Sequence, residues 1–394
     1  MEVCKMYNIA TLNKISAVGL AHLSDAYAVI DDTAAANGIL VRSQDMHEME
    51  FGKDLLTIAR AGAGVNNIPL DKCADQGIVV FNTPGANANA VKELVLAALL
   101  LSARNIPAAL SWAATLTTDV SKAVEKGKKQ FAGTEIKGKT LGVYGLGAIG
   151  VMVANSAADL GMKVVGYDPF FSTKSAHALC SCVDVVDDPS EMLPKCDYIT
   201  IHVPASPATN GMFNADVFSQ MKDGAVLLNF SRDKLINEAD MLAALEGGKL
   251  KEYLTDFGTD GLVGKEGVVL LPHLGASTAE AEDNCATIAV TEIMDYIENG
   301  NITNSVNFPA VRLPKTEGET RIALLTKGVE NPVDAAINGL GVAVSGAAGG
   351  VRGAYGYALI STRDHIAEIP ALTALERSSI LKKNSRKRPE DAGT

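Results

Sequence analysis

Two side chains suited to acid–base and anion chemistry close apolar runs of the sequence. Arg232 ends "AVLLNFSR", and His273 ends "VVLLPH". Arginine is a fixed cation that can hold a carboxylate bidentately. Histidine titrates near neutral pH and can give or take the proton of a hydroxyl/carbonyl pair. A third feature is the glycine series Gly145-Leu146-Gly147-Ala148-Ile149-Gly150, which follows a strand-like run and opens a helical one. Gly145 allows a tight turn, Gly147 lets backbone approach a pyrophosphate, and Gly150 lets helix and strand pack closely. The free N–H groups and positive dipole end of the helix then face phosphate. Asp168 ends the next strand-like run and can accept from both ribose hydroxyls of an adenosine. A 2′-phosphate would meet its charge, and the following "PFFST" has no arginine, so NAD is favoured over NADP. Cofactor, cation and acid–base group together suit hydride transfer between a 2-hydroxy and a 2-oxo acid. The other readings are an unliganded strand–helix turn and an S-adenosylmethionine-type ligand. His202, in "TIHVPAS", reads as a packing residue behind the site.

An acid–base histidine is commonly oriented by a carboxylate. The stretch before His273 offers Asp256, Asp260 and Glu266, and the sequence leaves the choice among them, or none, open.

These residues need a scaffold. The chain has 394 residues, 47% of them hydrophobic and 21% charged, enough for two or three globular domains. A formal net charge of −11 disfavours nonspecific nucleic-acid binding. The scattered cysteines with no signal peptide before them read as reduced thiols in the cytoplasm; Cys180-Ser181-Cys182 could also bind metal or form a redox pair. No metal site is expected. "VLAALLLSA" is too short to span a bilayer.

Strand-like runs alternate with helical ones from "KTLGVYGLG" through "KVVGYD", "DYITIHV", "AVLLNFS", "YLTDF" and "VVLLPH". Near-continuous apolar strands of this kind imply a parallel sheet covered on both faces, a doubly wound α/β domain of Rossmann type. Residues 1–85 repeat the alternation in "YNIATL", "GILVRS", "LLTIARAG" and "GIVVFNTP", giving a smaller, flavodoxin-like α/β lobe. Between them "NAVKELVLAALLLSARNI" is helical and apolar on most faces, as an interdomain or dimer contact would require. Burial within one subunit is the alternative. After a proline-bearing linker at 311–319, residues 320–383 read as strand, helix, strand, strand, helix and strand, a ferredoxin-like α+β order. The polar tail 384–394 reads as disordered.

The motifs "GKTLGVYGLGAIG…YDPF", "NFSR", "LPHLGAST" and "NTPGANANAVKEL" resemble those of the D-isomer-specific 2-hydroxyacid dehydrogenases, over roughly Tyr7 to Pro309. The resemblance implies a substrate lobe built from residues 1–85 and a returning helix at about 287–310, with an NAD-binding domain at 86–286. It puts the catalytic arginine on Arg232 and the acid–base histidine on His273. NAD contacts fall on Gly145, Gly147, Ala148, Ile149, Gly150, Asp168, Val203, Phe230, Ser231, Asp256 and the run His273 to Ala276, including Gly275. Ala63 stands where the family often has threonine. Basic residues of "LVRSQ" and "IARAGAG", here Arg42 and Arg60, fall near the substrate, with the N–H groups of Ala61 and Gly62 beside its carboxylate. That set implies a phosphorylated 2-hydroxy acid, 3-phosphoglycerate, as substrate, and a homodimer or homotetramer. A glyoxylate or hydroxypyruvate reductase, or a non-catalytic NAD-sensing corepressor-like protein, are the alternatives. The family's orienting glutamate falls on Gly261, so Asp260 is the expected substitute. The terminal domain is expected to be ACT-like, but "TKGVENPVD" lacks the turn that binds serine in such domains.

Overall fold

The computed structural model describes residues 6–314, 316–364, 366 and the backbone of 375–381. The chain divides into two compact units, residues up to Ala86 together with those from Glu282 onward, and Asn87–Ala281.

The first unit is built on a five-stranded parallel sheet of order β2-β1-β3-β4-β5. Its strands are β1 (Tyr7–Leu12), β2 (Tyr27–Ile30), β3 (Gly38–Val41), β4 (Thr57–Arg60) and β5 (Val79–Phe81). This is the flavodoxin-like order, with its reversal between β1 and β3. Alternate residues of each strand serve opposite faces. Ile9, Leu40, Ala59 and Val79 pack on Ala286, Ala289, Val290 and Ile293, while Ala10, Ile39, Ile58 and Val80 join Met46, Leu55 and Cys73. The returning helix was expected at about 287–310 but runs Ala279–Asn299. It starts earlier because Thr278 caps it, its Oγ1 accepting from Ala281 N at 3.1 Å. It stops at Gly300, whose φ of 71° is the left-handed conformation of a helix end.

The second unit holds seven parallel strands: β6 (Thr140–Tyr144), β7 (Lys163–Tyr167), β8 (Asp184–Val186), β9 (Tyr198–Ile201), β10 (Ala225–Asn229), β11 (Leu250–Thr255) and β12 (Val268–Leu270). Their order, β12-β11-β10-β9-β6-β7-β8, turns about β6 and β9 as in dinucleotide-binding folds. All five residues of β10 are buried, which accounts for its unbroken apolar sequence. The helix Ala88–Ala103 is covered within its own unit, where Val91, Val95, Ala98 and Leu99 share a core with Ala154 and Ala157 of the Ala148–Asp159 helix. One face of the helix is therefore covered by neighbours in the same unit, while Leu100 stays 44% exposed. The helices that follow, Ile106–Ala113 and Val120–Gly127, bury nothing, and Leu110 is 64% exposed.

The chain continues in the first unit with β13 (Thr320–Lys327), a helix at Pro332–Leu340, β14 (Val344–Arg352), β15 (Tyr355–Thr362) and β16 (Leu375–Leu381). These strands form an antiparallel sheet of order β14-β15-β13-β16. The helix expected just before β16 and the tail 384–394 lie outside the described residues. The expected linker is anchored: Val311 and Ile302 exchange backbone hydrogen bonds of 2.8 and 2.9 Å. The buried Arg321 donates to Asn299 O at 2.7 Å and Leu313 O at 2.5 Å, fastening β13 to the end of the returning helix.

Cys180 and Cys182 form a disulfide, so the expectation of six reduced thiols fails for this pair. The two residues stand 5.2 Å apart at Cα. Cys73, Cys196 and Cys285 are free and buried. Among the described residues no single helix is long and apolar enough to cross a membrane.

Candidate active site

In the second unit the chemistry-bearing residues follow the carboxyl ends of adjacent strands, where ligands of open α/β sheets bind. The glycine turn joins β6 to the Ala148–Asp159 helix, for which Gly147 is the N-cap. Gly145 has φ of 100°, and a Cβ there would stand 2.6 Å from His202 O. A Cβ on Gly150 would stand 1.9 Å from Gly145 O. Both positions exclude any side chain. Gly147 faces open space, with nothing within 4 Å of where its Cβ would be. The turn is thus closed behind and open above the helix N-terminus carrying Ala148 and Ile149.

Asp168 follows β7. Its Oδ2 accepts from Leu146 N and its Oδ1 from Phe170 N, each at 2.8 Å. The carboxylate holds the glycine turn in shape and keeps lone pairs for a ribose. Val203 follows β9, and the buried Phe230 follows β10. Ser231 Oγ donates to Ile201 O at 2.7 Å, tying those two strand ends together. His202 is neutral: burial drives its pKa from 6.5 down to about 3, and Nε2 lies 3.0 Å from Thr200 Oγ1. It does not take up a second proton near neutral pH.

Arg232 is exposed, with Nη1 donating to Ser231 O at 2.5 Å. The loop that carries it is braced by Asn229, whose Nδ2 donates to Arg232 O at 2.8 Å. Asn229 is fully buried. His273 lies beyond β12 in an exposed bend, its ring tilted at 52° and 4.7 Å from the Phe257 ring. Asp256 is only 2% exposed, and its Oδ2 accepts from Gly275 N at 2.9 Å. Its Oδ1 is buried without a partner. Burial raises the Asp256 pKa, with the Gly275 N–H and His273 opposing the rise. A buried acceptor without a partner is a site completed by a ligand with a donor to give, and an amide-bearing dinucleotide fits it.

The expected Asp260–His273 contact is absent. Asp260 is exposed, and among the described residues it has no hydrogen-bond or ion-pair partner. Thr259 Oγ1 donates to Glu238 Oε2 at 2.6 Å. Glu238 Oε1 occupies the space a side chain at 261 would need, 2.0 Å from the position of a Cβ on Gly261. Glu238 opens the Glu238–Glu246 helix and reaches a cavity of about 190 Å³ also lined by Tyr253, Phe257, Thr259 and Leu262. Glu266 is exposed as well. Sequence reasoning passed over Asn229, Glu238 and Phe257. Only Asn229, a lone polar residue closing an apolar run, carried a local signal.

In the first unit Arg42 directly follows β3 and Arg60 ends β4. They converge: Arg60 Nε donates to Arg42 O at 3.0 Å. Ala61 and Gly62 continue from Arg60, and the Arg60 guanidinium folds over Gly62 so closely that a Cβ there would be 2.2 Å from Nη1.

Residues 96–275 match the family model for the D-isomer specific 2-hydroxyacid dehydrogenase, NAD binding domain. This stretch of the chain is thus an NAD-binding domain of the D-isomer specific 2-hydroxyacid dehydrogenase type, and its cofactor is NAD. It is 35% identical over 293 residues to D-3-phosphoglycerate dehydrogenase of Rattus norvegicus, covering 72% of this chain and 53% of the relative. It is 36% identical over 302 residues to that of Synechocystis sp., covering 73% and 52%. The chain thus spans about half the length of these curated relatives. Among solved structures it is similar to NAD+-bound 3-phosphoglycerate dehydrogenase of Entamoeba histolytica, with TM-score 0.62 and 26% identity over 77% of this chain and 99% of that one. D-mandelate dehydrogenase of Rhodotorula graminis shares the fold, with TM-score 0.64 and 23% identity over 76% and 97%.

Proposed function

We propose that the chain oxidises 3-phosphoglycerate to 3-phosphohydroxypyruvate with NAD, the entry step of serine biosynthesis. The observation that carries the substrate is that Arg42 and Arg60 stand at adjacent strand ends, with the Arg60 guanidinium donating to the Arg42 backbone carbonyl, a placing that suits a phosphate. The similarity to 3-phosphoglycerate dehydrogenases supports the same reading.

NAD, when bound, accepts the hydride from C2. Gly145, Gly147, Gly150, Ala148 and Ile149 cradle its pyrophosphate, and Asp168 receives the adenosine ribose. Val203, Phe230, Ser231, Asp256, Gly275 and Ala276 line the rest of its seat, with the free Oδ1 of Asp256 accepting an amide proton. Arg232 holds the substrate carboxylate. His273 takes the C2 hydroxyl proton as the hydride leaves, which yields the ketone and a protonated imidazole. The Phe257 ring, not Asp260, sets the plane of His273.

A spectrophotometric panel with NAD and NADP tests the reading. NADH formation with 3-phosphoglycerate is expected. Faster oxidation of glycerate or lactate would overturn the substrate, and preference for NADP the cofactor role of Asp168. Glyoxylate and hydroxypyruvate reduction is the neighbouring activity, and it needs no phosphate subsite.

The antiparallel terminal sheet we take to be ferredoxin-like and ACT-like from its strand order. The stretch "TKGVENPVD", which runs out of the end of β13, does not carry the turn expected of a serine-binding domain of this type. A homo-oligomer is proposed through the Ile106–Ala113 and Val120–Gly127 helices, which bury nothing within the chain.

A further inference from the structure

We infer that Glu282 is an internal counter-anion that competes with phosphate for Arg42 and so tunes the selectivity of the anion site. The inference rests on the reading of Arg42 and Arg60 as the phosphate subsite. Glu282 Oε1 lies 2.7 Å from Arg42 Nη1, an ion pair closed by the first turn of the Ala279–Asn299 helix. The two side chains are 38% and 44% exposed, so the pair is solvated and readily opened. Arg60 belongs to the same cluster through its bond to Arg42 O. Cys285, one turn along the helix, feels all three charges: burial raises its thiol pKa, a hydrogen bond with Thr83, Arg60 and Arg42 lower it, and Glu282 raises it.

With Glu282 seated, the Arg42 guanidinium already faces a carboxylate. A singly charged anion gains no more from Arg42 than Glu282 already supplies. A phosphate carries about two charges and three acceptor oxygens, so it displaces Glu282 from Arg42 where a carboxylate does not. The helix holds Glu282 nearby as a competitor, which weakens every ligand of Arg42 and penalises weak anions most.

The test is calorimetric titration of the full chain with inorganic phosphate, in the wild type, Glu282→Gln, Arg42→Ala and the double variant. Glu282→Gln is expected to tighten phosphate roughly two- to fivefold, the strength of an exposed ion pair. That gain is expected to vanish in the Arg42→Ala background, and the KM for 3-phosphoglycerate to fall by the same factor while NADH affinity stays fixed. Unchanged or weaker phosphate binding in Glu282→Gln, or a gain that survives Arg42→Ala, overturns the pairing. Phosphate binding in the expected pattern without 3-phosphoglycerate oxidation overturns the substrate and leaves the role of Glu282 standing.

Discussion

Replacing Glu292 by glutamine should make the protein more stable at pH 8 than at pH 5 relative to the wild type. Glu292 lies on the Ala279–Asn299 helix among Ala289, Val290 and Ile293 and is only 8% exposed. The Asn304 amide donates to its Oε1, and its Oε2 is buried without a partner. Burial raises its pKa from 4.5 to about 7, with the Asn304 bond opposing the rise. A proton held more tightly by the folded than by the unfolded chain makes stability fall as pH rises. The wild type therefore keeps its full stability below pH 4.5 and loses it up to about pH 7. At about 1.4 kcal/mol per tenfold change in proton affinity, the loss is about 3.5 kcal/mol as an upper figure. Glutamine keeps the acceptor for Asn304 and never ionises. Urea unfolding of both proteins at pH 5 and pH 8 should show the gap between them widening by about 2 to 3 kcal/mol. Parallel pH profiles would refute the assignment and mean that Glu292 is ionised or solvated in the folded state.

His273→Ala should lower kcat by about 10²- to 10⁴-fold while NADH fluorescence titration stays unchanged; a loss under tenfold would remove His273 from proton transfer. Arg60→Ala should act mainly on KM for 3-phosphoglycerate, raising it roughly 10- to 100-fold, as loss of a charged hydrogen bond implies. Gly150→Ala drives a Cβ to 1.9 Å from Gly145 O. NADH titration should show that variant's affinity collapse, together with about 1 to 3 kcal/mol of destabilisation. Asp260→Asn should leave turnover and its pH profile unaltered, since Asp260 is exposed and unbonded; a shifted profile would restore it as the partner of His273.

The central strands were legible because burial on both faces writes an unbroken apolar run, as in β10. Gly145 and Gly150 were legible because no side chain fits there. The short edge strands β2 and β8 were not, since their exposed positions interrupt the pattern. The Ala88–Ala103 helix announced that it must be covered, but an apolar surface does not say by what. The Arg42–Glu282 pair joins residues far apart in the chain, and no periodicity records such a meeting. Asp260 was expected from its adjacency in sequence, yet a turn sends neighbouring side chains to opposite surroundings.

The seat of Glu238 has an evolutionary consequence. Its carboxylate fills the volume that any residue larger than glycine at 261 would claim. The two positions are therefore epistatic. A single-step change of Gly261 to glutamate meets an occupied site and two like charges. The same change made after Glu238 has shrunk meets free space and a vacant hydroxyl donor on Thr259. The order of substitution decides which paths are open, and a library varying only position 261 would discard every route that begins at 238.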